Sequence, residues 1–291
     1  SEMCIRDSLT IVLLSSPVML WMYKELTMGI CQSRSSMKGK VVLITGGSNG
    51  IGLETAVDLA KRGAQLIIGC RKVQGVDGKI QQEAPGAVVD VIKLDLSSNS
   101  SIRDFAEKVL AKYDSIDVLI NNAGGAPMVD SLTASPKFHE AIIDLNLTAP
   151  LNLSQKIAKK MIKQKTVSNI INISSVTATR PTPGSAAYGA AKGALVNLTK
   201  TLAVEWAPKI KVNSIIVGYI ETENSILHYG SKSEIKKVAK TIPLKRMGQP
   251  QDIANACVFF ASDMAEWVTG SALEVHGGGE SPAYLDVAKP K

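Results

Sequence analysis

The sequence predicts an α/β fold, a single doubly wound parallel β-sheet of about seven strands with helices on both faces. Three observations predict it. From Lys40 onward, short apolar runs alternate with segments of helical periodicity, the pattern of repeated βαβ units. The inner runs are nearly continuous in apolar residues, as strands covered on both faces require. A glycine cluster sits at the first strand-to-helix junction.

Taken in order, strands are expected at residues 41–45, 65–69, 88–93, 118–121, 169–174, 212–217 and 272–275. Helical spacing fills the gaps. Leu53, Ala56, Val57 and Ala60 recur at i, i+3, i+4 and i+7, and Leu195, Leu198 and Leu202 at i, i+3 and i+7. No linker or internal repeat divides residues 37–291, which read as one domain. Residues 221–247 form a long insertion before the last helix and strand, the length expected of a substrate lid.

Composition narrows the function. With 45% hydrophobic and 20% charged residues in 291, the chain buries a substantial core. Its net charge of +7 comes without a Lys/Arg run interleaved with aromatics, so no nucleic-acid partner is expected. Cys4, Cys31, Cys70 and Cys257 form no C-x-x-C pair, and His139, His228 and His276 are widely spaced, so no metal site is expected. The cysteine usage fits a reducing, cytoplasmic setting.

Residues 1–36 read as a leader, disordered or artefactual. The apolar stretch at 9–23, broken by Pro17, is about 15 residues long, too short to span a bilayer comfortably. If translation began at Met28, Gly29 would open a myristoylation pattern and Cys31 could carry a second acyl chain. A membrane partner is expected only on that start.

The glycine cluster is Thr45-Gly46-Gly47-Ser48-Asn49-Gly50-Ile51-Gly52. Gly46 permits a tight turn, Gly50 lets the backbone approach a pyrophosphate, and Gly52 lets the next helix pack close. The helix start presents free N–H groups and a positive dipole end to an anion, so Gly46, Ser48, Asn49, Gly50, Ile51 and Gly52 are candidate cofactor contacts in a Rossmann-type fold. The second strand ends in Gly69-Cys70-Arg71-Lys72, with no acid to accept from an adenosine ribose. Arg71 can instead pair with a 2′-phosphate, which makes NADP(H) the preferred cofactor and NAD(H) the alternative.

The spacing T-G-x-x-x-G-x-G resembles the short-chain dehydrogenase/reductase family, and the resemblance covers residues 40–279. It implies an adenine contact at Asp95 and Leu96, and a cofactor border at Asn122, Ala123 and Gly124 within Asn121-Asn122-Ala123-Gly124. It also implies a relay asparagine at Asn146 and a catalytic serine at Ser175, 13 residues before Tyr188. Ser174 competes for that role, but the spacing favours Ser175. Tyr188-Gly189-Ala190-Ala191-Lys192 matches the family's Y-x-x-x-K. Ile220 and Thr222, in a segment similar to P-G-x-[IV]-x-T, would hold the carboxamide; Val217 stands where the family has proline.

The chemistry explains the set. Hydride transfer to a carbonyl leaves an alkoxide that needs a proton. A tyrosine titrates near about 10, and bringing it to neutrality requires roughly 4 kcal/mol of preferential phenolate stabilisation. Lys192 lies one helical turn from Tyr188 and is expected to lower that value and to hold ribose hydroxyls. Ser175 would hydrogen-bond the substrate oxygen.

The resulting expectation is an NADP(H)-dependent oxidoreductase interconverting a secondary alcohol and a ketone, with a small-molecule carbonyl or alcohol as substrate. The alternatives are a 3-oxoacyl thioester reductase of fatty-acid metabolism and a non-catalytic NADP-binding sensor or scaffold. The resemblance also implies a homotetramer or homodimer. Substrate choice is expected within 221–247, at Leu227, His228, Tyr229 and Ile235.

Overall fold

The computed structural model describes residues 35–288. The apolar stretch at 9–23, Met28 and Cys31 lie outside the described residues. No helix among the described residues is long and apolar enough to cross a membrane.

Seven parallel strands form one sheet: β1 (Val41–Thr45), β2 (Gln65–Cys70), β3 (Val89–Lys93), β4 (Val118–Asn121), β5 (Ser168–Ser175), β6 (Ile210–Val217) and β7 (Ala272–Val275), in the order β3-β2-β1-β4-β5-β6-β7. The doubly wound fold class stands, and all seven expected strands are present. Small differences lie at the ends. β3 begins at Val89, one residue late, because Val88 is exposed and contributes only its carbonyl to Leu66. β5 and β6 run longer than expected because they pair with each other from Ser168↔Ile210 to Ser175↔Val217.

Side chains alternate between two apolar layers. Val42, Ile44, Leu66, Ile68, Val118, Ile120, Ile171 and Ile215 face one layer with α1 (Gly50–Lys61), α2 (Val76–Glu83) and α9 (Pro250–Ala261). Leu43, Ile67, Leu119, Ile170 and Val212 face the other with α3 (Asn99–Lys112), α5 (Ala149–Met161) and α6 (Ala186–Glu205). Burial on both faces is why the inner strands lack a polar alternation.

A buried polar ladder fastens the second layer. Asn121 Nδ2 donates to Ser154 Oγ and Asn172 Oδ1, both at 2.8 Å, and Asn172 Nδ2 donates to Thr199 Oγ1 at 2.9 Å. These bonds fix α5 and α6 in register against β4 and β5, since each buried polar atom left unpaired would be costly.

The 221–247 segment is structured. It contains α7 (Ser225–Tyr229) and α8 (Lys232–Thr241), the latter started by a reciprocal Ser231–Glu234 capping box. Ile235, Ile242 and Met247 form a small satellite core with Tyr219, Tyr229, Val238 and Ala239. The order reversal between β1 and β4 makes a crevice at the carboxyl ends of the strands, where ligands bind in open α/β sheets.

Candidate active site

The glycine turn follows β1 at this crevice. Gly46 and Gly50 have φ of +70° and +52°, a region that favours glycine. A Cβ at Gly52 would lie 2.3 Å from the Gly46 carbonyl oxygen and 2.4 Å from Asn122 Nδ2. Gly52 therefore closes the turn on itself, rather than serving only helix-to-sheet packing. The turn is stapled to the end of β4. Asn122 and Ala123 N–H groups donate to Thr45 Oγ1, each at 3.0 Å, and Asn122 Nδ2 donates to the Thr45 carbonyl at 2.9 Å. Asn122 thus shapes the turn with its side chain, and Thr45, not singled out from sequence, is its anchor. Asn49 precedes α1 in extended conformation and makes no side-chain cap.

The N-terminus of α1 already faces a carboxylate: Gly50 N–H donates to Glu223 Oε1 at 3.1 Å. Thr222 lies opposite the same turn, its methyl 3.6 Å from the position of a Gly50 Cβ. The Thr222 hydroxyl accepts from Asn224 N–H at 3.3 Å. Ile220 is buried and bridges Gly248. Nothing in the sequence around Glu223 announced its contact with a residue 173 positions earlier.

Arg71 is exposed just past β2 and forms no ion pair among the described residues. The preceding Cys70 is buried, its thiol donating to the Lys72 carbonyl at 3.1 Å. Asp95 Oδ1 accepts from the backbone N–H and the hydroxyl of Ser97 at 3.0 and 2.7 Å. Those bonds hold its carboxyl below the usual range, with Arg71 contributing at longer range. Leu96 is buried beside it.

The other half of the crevice is built by α6. Gly189 and Gly193 lie one turn apart, where a Cβ would meet the Thr177 and Ala178 carbonyl oxygens at 3.0 and 3.4 Å. Their lack of side chains lets α6 lie on the 3₁₀ turn Val176–Ala178, directly after Ser175. Ser175 Oγ accepts from the Thr177 N–H at 3.3 Å, and its hydroxyl acts on the Tyr188 phenol. Ser174, the competing serine, is buried and its hydroxyl donates to the Lys192 carbonyl at 3.1 Å.

One expectation is corrected. Burial is the larger influence on Tyr188 and pushes its phenol above the ordinary value, with Ser175 pulling it part of the way back. Lys192 does not offset this. Its Nζ lies 5.7 Å from the Tyr188 ring centroid, donates to the Ile173 carbonyl at 2.8 Å, and is itself lowered to about 8 by burial. The ammonium faces the ring and a backbone oxygen.

Asn146 is fully buried in a π-helical turn, Asp144–Thr148, between α4 (Pro136–Ile143) and α5. Such widened turns recur at functional sites. Its carboxamide is engaged by backbone: Oδ1 accepts from Gly125 N–H at 2.9 Å, and Nδ2 donates to the Gly125 and Ile142 carbonyls at 3.0 and 2.9 Å. The side chain pins the loop after Gly124. Gly124 is wedged between two site residues, because a Cβ there would lie 2.7 Å from Asn146 Oδ1 and 3.2 Å from Lys192 Nζ.

Beyond Tyr188 a small cavity is lined by Ala126, Pro127, Phe138, His139 and Ile142. On another side Tyr219 and Tyr229 meet edge to face at 5.8 Å. Burial pushes the Tyr229 phenol up to about 12, with Tyr219 and Tyr188 adding. Of the other residues expected to choose substrate, Leu227 and His228 are exposed and Ile235 is spent on the satellite core. Among the described residues no group of His, Cys, Asp or Glu side chains converges to hold a metal.

Comparison with known proteins places this geometry. Residues 46–280 match the family model described as enoyl-(acyl carrier protein) reductase. The chain is 35% identical over 244 residues to the 3-oxoacyl-[acyl-carrier-protein] reductase FabG of Thermotoga maritima, covering 83% of this chain and 98% of that one. It is 34% identical over 249 residues to the 3alpha-hydroxysteroid dehydrogenase of Mediterraneibacter gnavus, covering 84% and 98%. A solved structure from Beutenbergia cavernae, described as NAD(P) dependent and holding NADP at low occupancy, superposes with a TM-score of 0.78 at 30% identity, covering 84% and 97%. The parallel sheet, the glycine turn and these matches together make the chain a member of the short-chain dehydrogenase/reductase family, an oxidoreductase fold whose relatives act on CH–OH or carbonyl groups.

Proposed function

We propose that the protein is an NADP(H)-dependent oxidoreductase interconverting a secondary alcohol and a ketone, with Tyr188 as general acid and base. The observation that carries this reading is the convergence of Ser175, Tyr188 and Lys192 beside the glycine turn, built from β5, α6 and the end of β1.

The residues fit a dinucleotide. The turn from Gly46 to Gly52 is too tight for side chains at Gly46 and Gly52, and its Gly50 N–H already holds one carboxylate oxygen, that of Glu223. Arg71 and Asp95 flank the end of β2, where a 2′-phosphate and an adenine amine would be held, and Thr222 borders the turn from the opposite side, two residues after Ile220. The exposed Arg71 supports NADP(H) over NAD(H), as does the NADP in the solved relative. When bound, the dinucleotide supplies or accepts the hydride.

The chain's own groups handle the proton. Ser175 orients the substrate oxygen towards the Tyr188 hydroxyl, and Tyr188 gives up its proton as negative charge develops on that oxygen. Lys192 holds positive charge under the Tyr188 ring. Asn146 keeps the 124–125 loop closed over Lys192. We further propose that residues 37–291 form one catalytic domain and that the enzyme works in the cytoplasm as a homotetramer or homodimer. A 3-oxoacyl thioester remains the alternative substrate class, supported by the FabG relative.

The test is NADPH and NADH oxidation with a panel of ketones, for the wild type and Tyr188→Phe. Tyr188→Phe should lose at least about 100-fold in kcat, the usual range for a removed proton donor. Undiminished turnover would exclude Tyr188 as the acid, and a tenfold preference for NADH would exclude the role given to Arg71.

A further inference from the structure

Three polar side chains outside this machinery meet at the rim where the strands end. Arg180 lies between Ser175 and Tyr188, Tyr219 lies just past β6, and Glu280 follows β7 and a run of glycines. Arg180 Nη1 is 3.2 Å from Glu280 Oε2, and Nη2 donates to Oε1 at 3.3 Å. The Tyr219 hydroxyl donates to the same Oε1 at 2.6 Å and accepts from Arg180 Nη2 at 2.7 Å. The guanidinium also sits over the Tyr219 ring, 5.5 Å from its centroid. A planar fork and a phenol thus converge on one carboxylate, the geometry by which proteins recognise that group.

The cradle adjoins the reacting centre. β5 and β6 end side by side at Ser175↔Val217, so Tyr219 lies two residues beyond the strand partner of Ser175, with its ring against Tyr229. Arg180 belongs to the same loop that delivers Tyr188.

The occupant is tethered but replaceable. Gly277, Gly278 and Gly279 have φ of +67°, +94° and +78°, so the arm bearing Glu280 leaves β7 through backbone that only glycine adopts freely. The Arg180 and Glu280 side chains retain 27% and 33% of their exposure, so solutes reach the pair, and an ion pair at such exposure is weak. An incoming carboxylate can therefore take over the guanidinium and phenol contacts with little net loss.

Resting on the reading of Tyr188 as proton donor, we propose that Arg180 and Tyr219 form a carboxylate-binding subsite of the substrate pocket, filled by Glu280 until an oxo or hydroxy acid replaces it. Arg180 is then a specificity residue for anionic substrates. If Glu280 instead only fastens the C-terminal segment, the cradle will ignore carboxylates in solution.

The cradle is tested without turnover by thermal unfolding of Glu280→Ala in sodium acetate against sodium chloride at equal ionic strength. Acetate should raise the midpoint saturably, by about 2 °C or more over chloride, as ligand binding to the folded state requires. The wild type, which carries its own carboxylate, and Glu280→Ala with Arg180→Met should show no difference between the salts. Equal responses to both salts in Glu280→Ala would overturn the proposal. Substrate class is tested with 2-, 3- and 4-oxo acids against their methyl esters. The wild type should favour acids at least tenfold in kcat/KM, Arg180→Met should bring the acid-to-ester ratio to about one, and Arg180→Lys should retain part of the preference. Esters turned over as well as acids would also overturn it. Failure of the Tyr188 reading looks different: Tyr188→Phe would then retain turnover whatever the acid-to-ester ratio.

Discussion

Replacing Lys192 by methionine isolates the energetic cost of the site. Lys192 is buried, and burial lowers its ammonium from the ordinary 10.5 to about 8. At roughly 1.4 kcal/mol per tenfold change in proton affinity, holding the charge in the folded state costs about 3 kcal/mol at neutral pH. The sign follows from proton counting. Below about pH 8 the folded and unfolded chains both carry the proton, and the full cost is present. Between about 8 and 10.5 the unfolded chain binds more protons than the folded one, so stability rises with pH. Above 10.5 both are neutral and the cost is gone. Methionine has nearly the same length without the charge, but leaves the Ile173 carbonyl without its partner, a loss of about 1–3 kcal/mol at any pH. The informative quantity is therefore the difference between Lys192→Met and wild type as a function of pH. It should fall by about 2.5 kcal/mol from pH 7 to pH 10, equivalent to about 1 M in urea midpoint. Urea unfolding of both proteins at matched concentration, without added cofactor, measures it, and other titrating groups cancel in the difference. Parallel stability curves across that range would refute a strained ammonium at Lys192.

Two further perturbations probe positioning. Gly124→Ala places a methyl against Asn146 Oδ1 and Lys192 Nζ, and should cost about 1–3 kcal/mol in urea unfolding and about tenfold in kcat, since both groups must move; wild-type kcat would show that neither displacement matters. Glu223→Gln removes a negative charge from the N-terminus of α1 while keeping an acceptor for Gly50, and NADPH titration should show roughly threefold tighter binding at low salt, fading as salt is raised. An unchanged Kd at every salt concentration would show that Glu223 does not compete with the cofactor.

The fold was legible because its signals are local. Val41–Thr45 and Gln65–Cys70 are apolar on both faces, and the helix after Gly50 keeps its apolar spacing, so pattern alone separates strand from helix. The cofactor turn was legible for the same reason, since Gly46 and Gly50 adopt conformations that identify glycine positions in advance. Other features depend on what the topology brings together. Asn122 turns its amide onto Thr45 across the β1–β4 switch, Glu223 reaches Gly50 from the 221–247 segment, and Arg180, Tyr219 and Glu280 converge from three separate connections. No spacing rule links such residues. Asn146 is expected from its motif, but the widened helical turn that buries it has no signature in Asp144-Leu145-Asn146. The direction of the Tyr188 shift was misjudged because its neighbour at i+4 is visible in sequence, whereas the burial that outweighs that neighbour is not.

That reversal bears on how the proposed machinery rests between turnovers. With the phenol raised by burial and the lysine lowered only to about 8, the neutral-pH site holds a protonated Tyr188 beside a charged Lys192. This is the ionisation that reduction needs: a donor with its proton in place, and a cation beside the ring as the phenolate forms. Had Lys192 depressed Tyr188 to neutrality in the resting site, much of the protein would lack the proton that a ketone requires. The cost of burying Lys192 is then the cost of keeping a cation in a site dry enough to hold Tyr188 neutral. Gly124 and Asn146 close over that lysine, and the Ile173 carbonyl gives it one hydrogen bond. The same enclosure sets both values, so opening it to water should move them toward their ordinary values together.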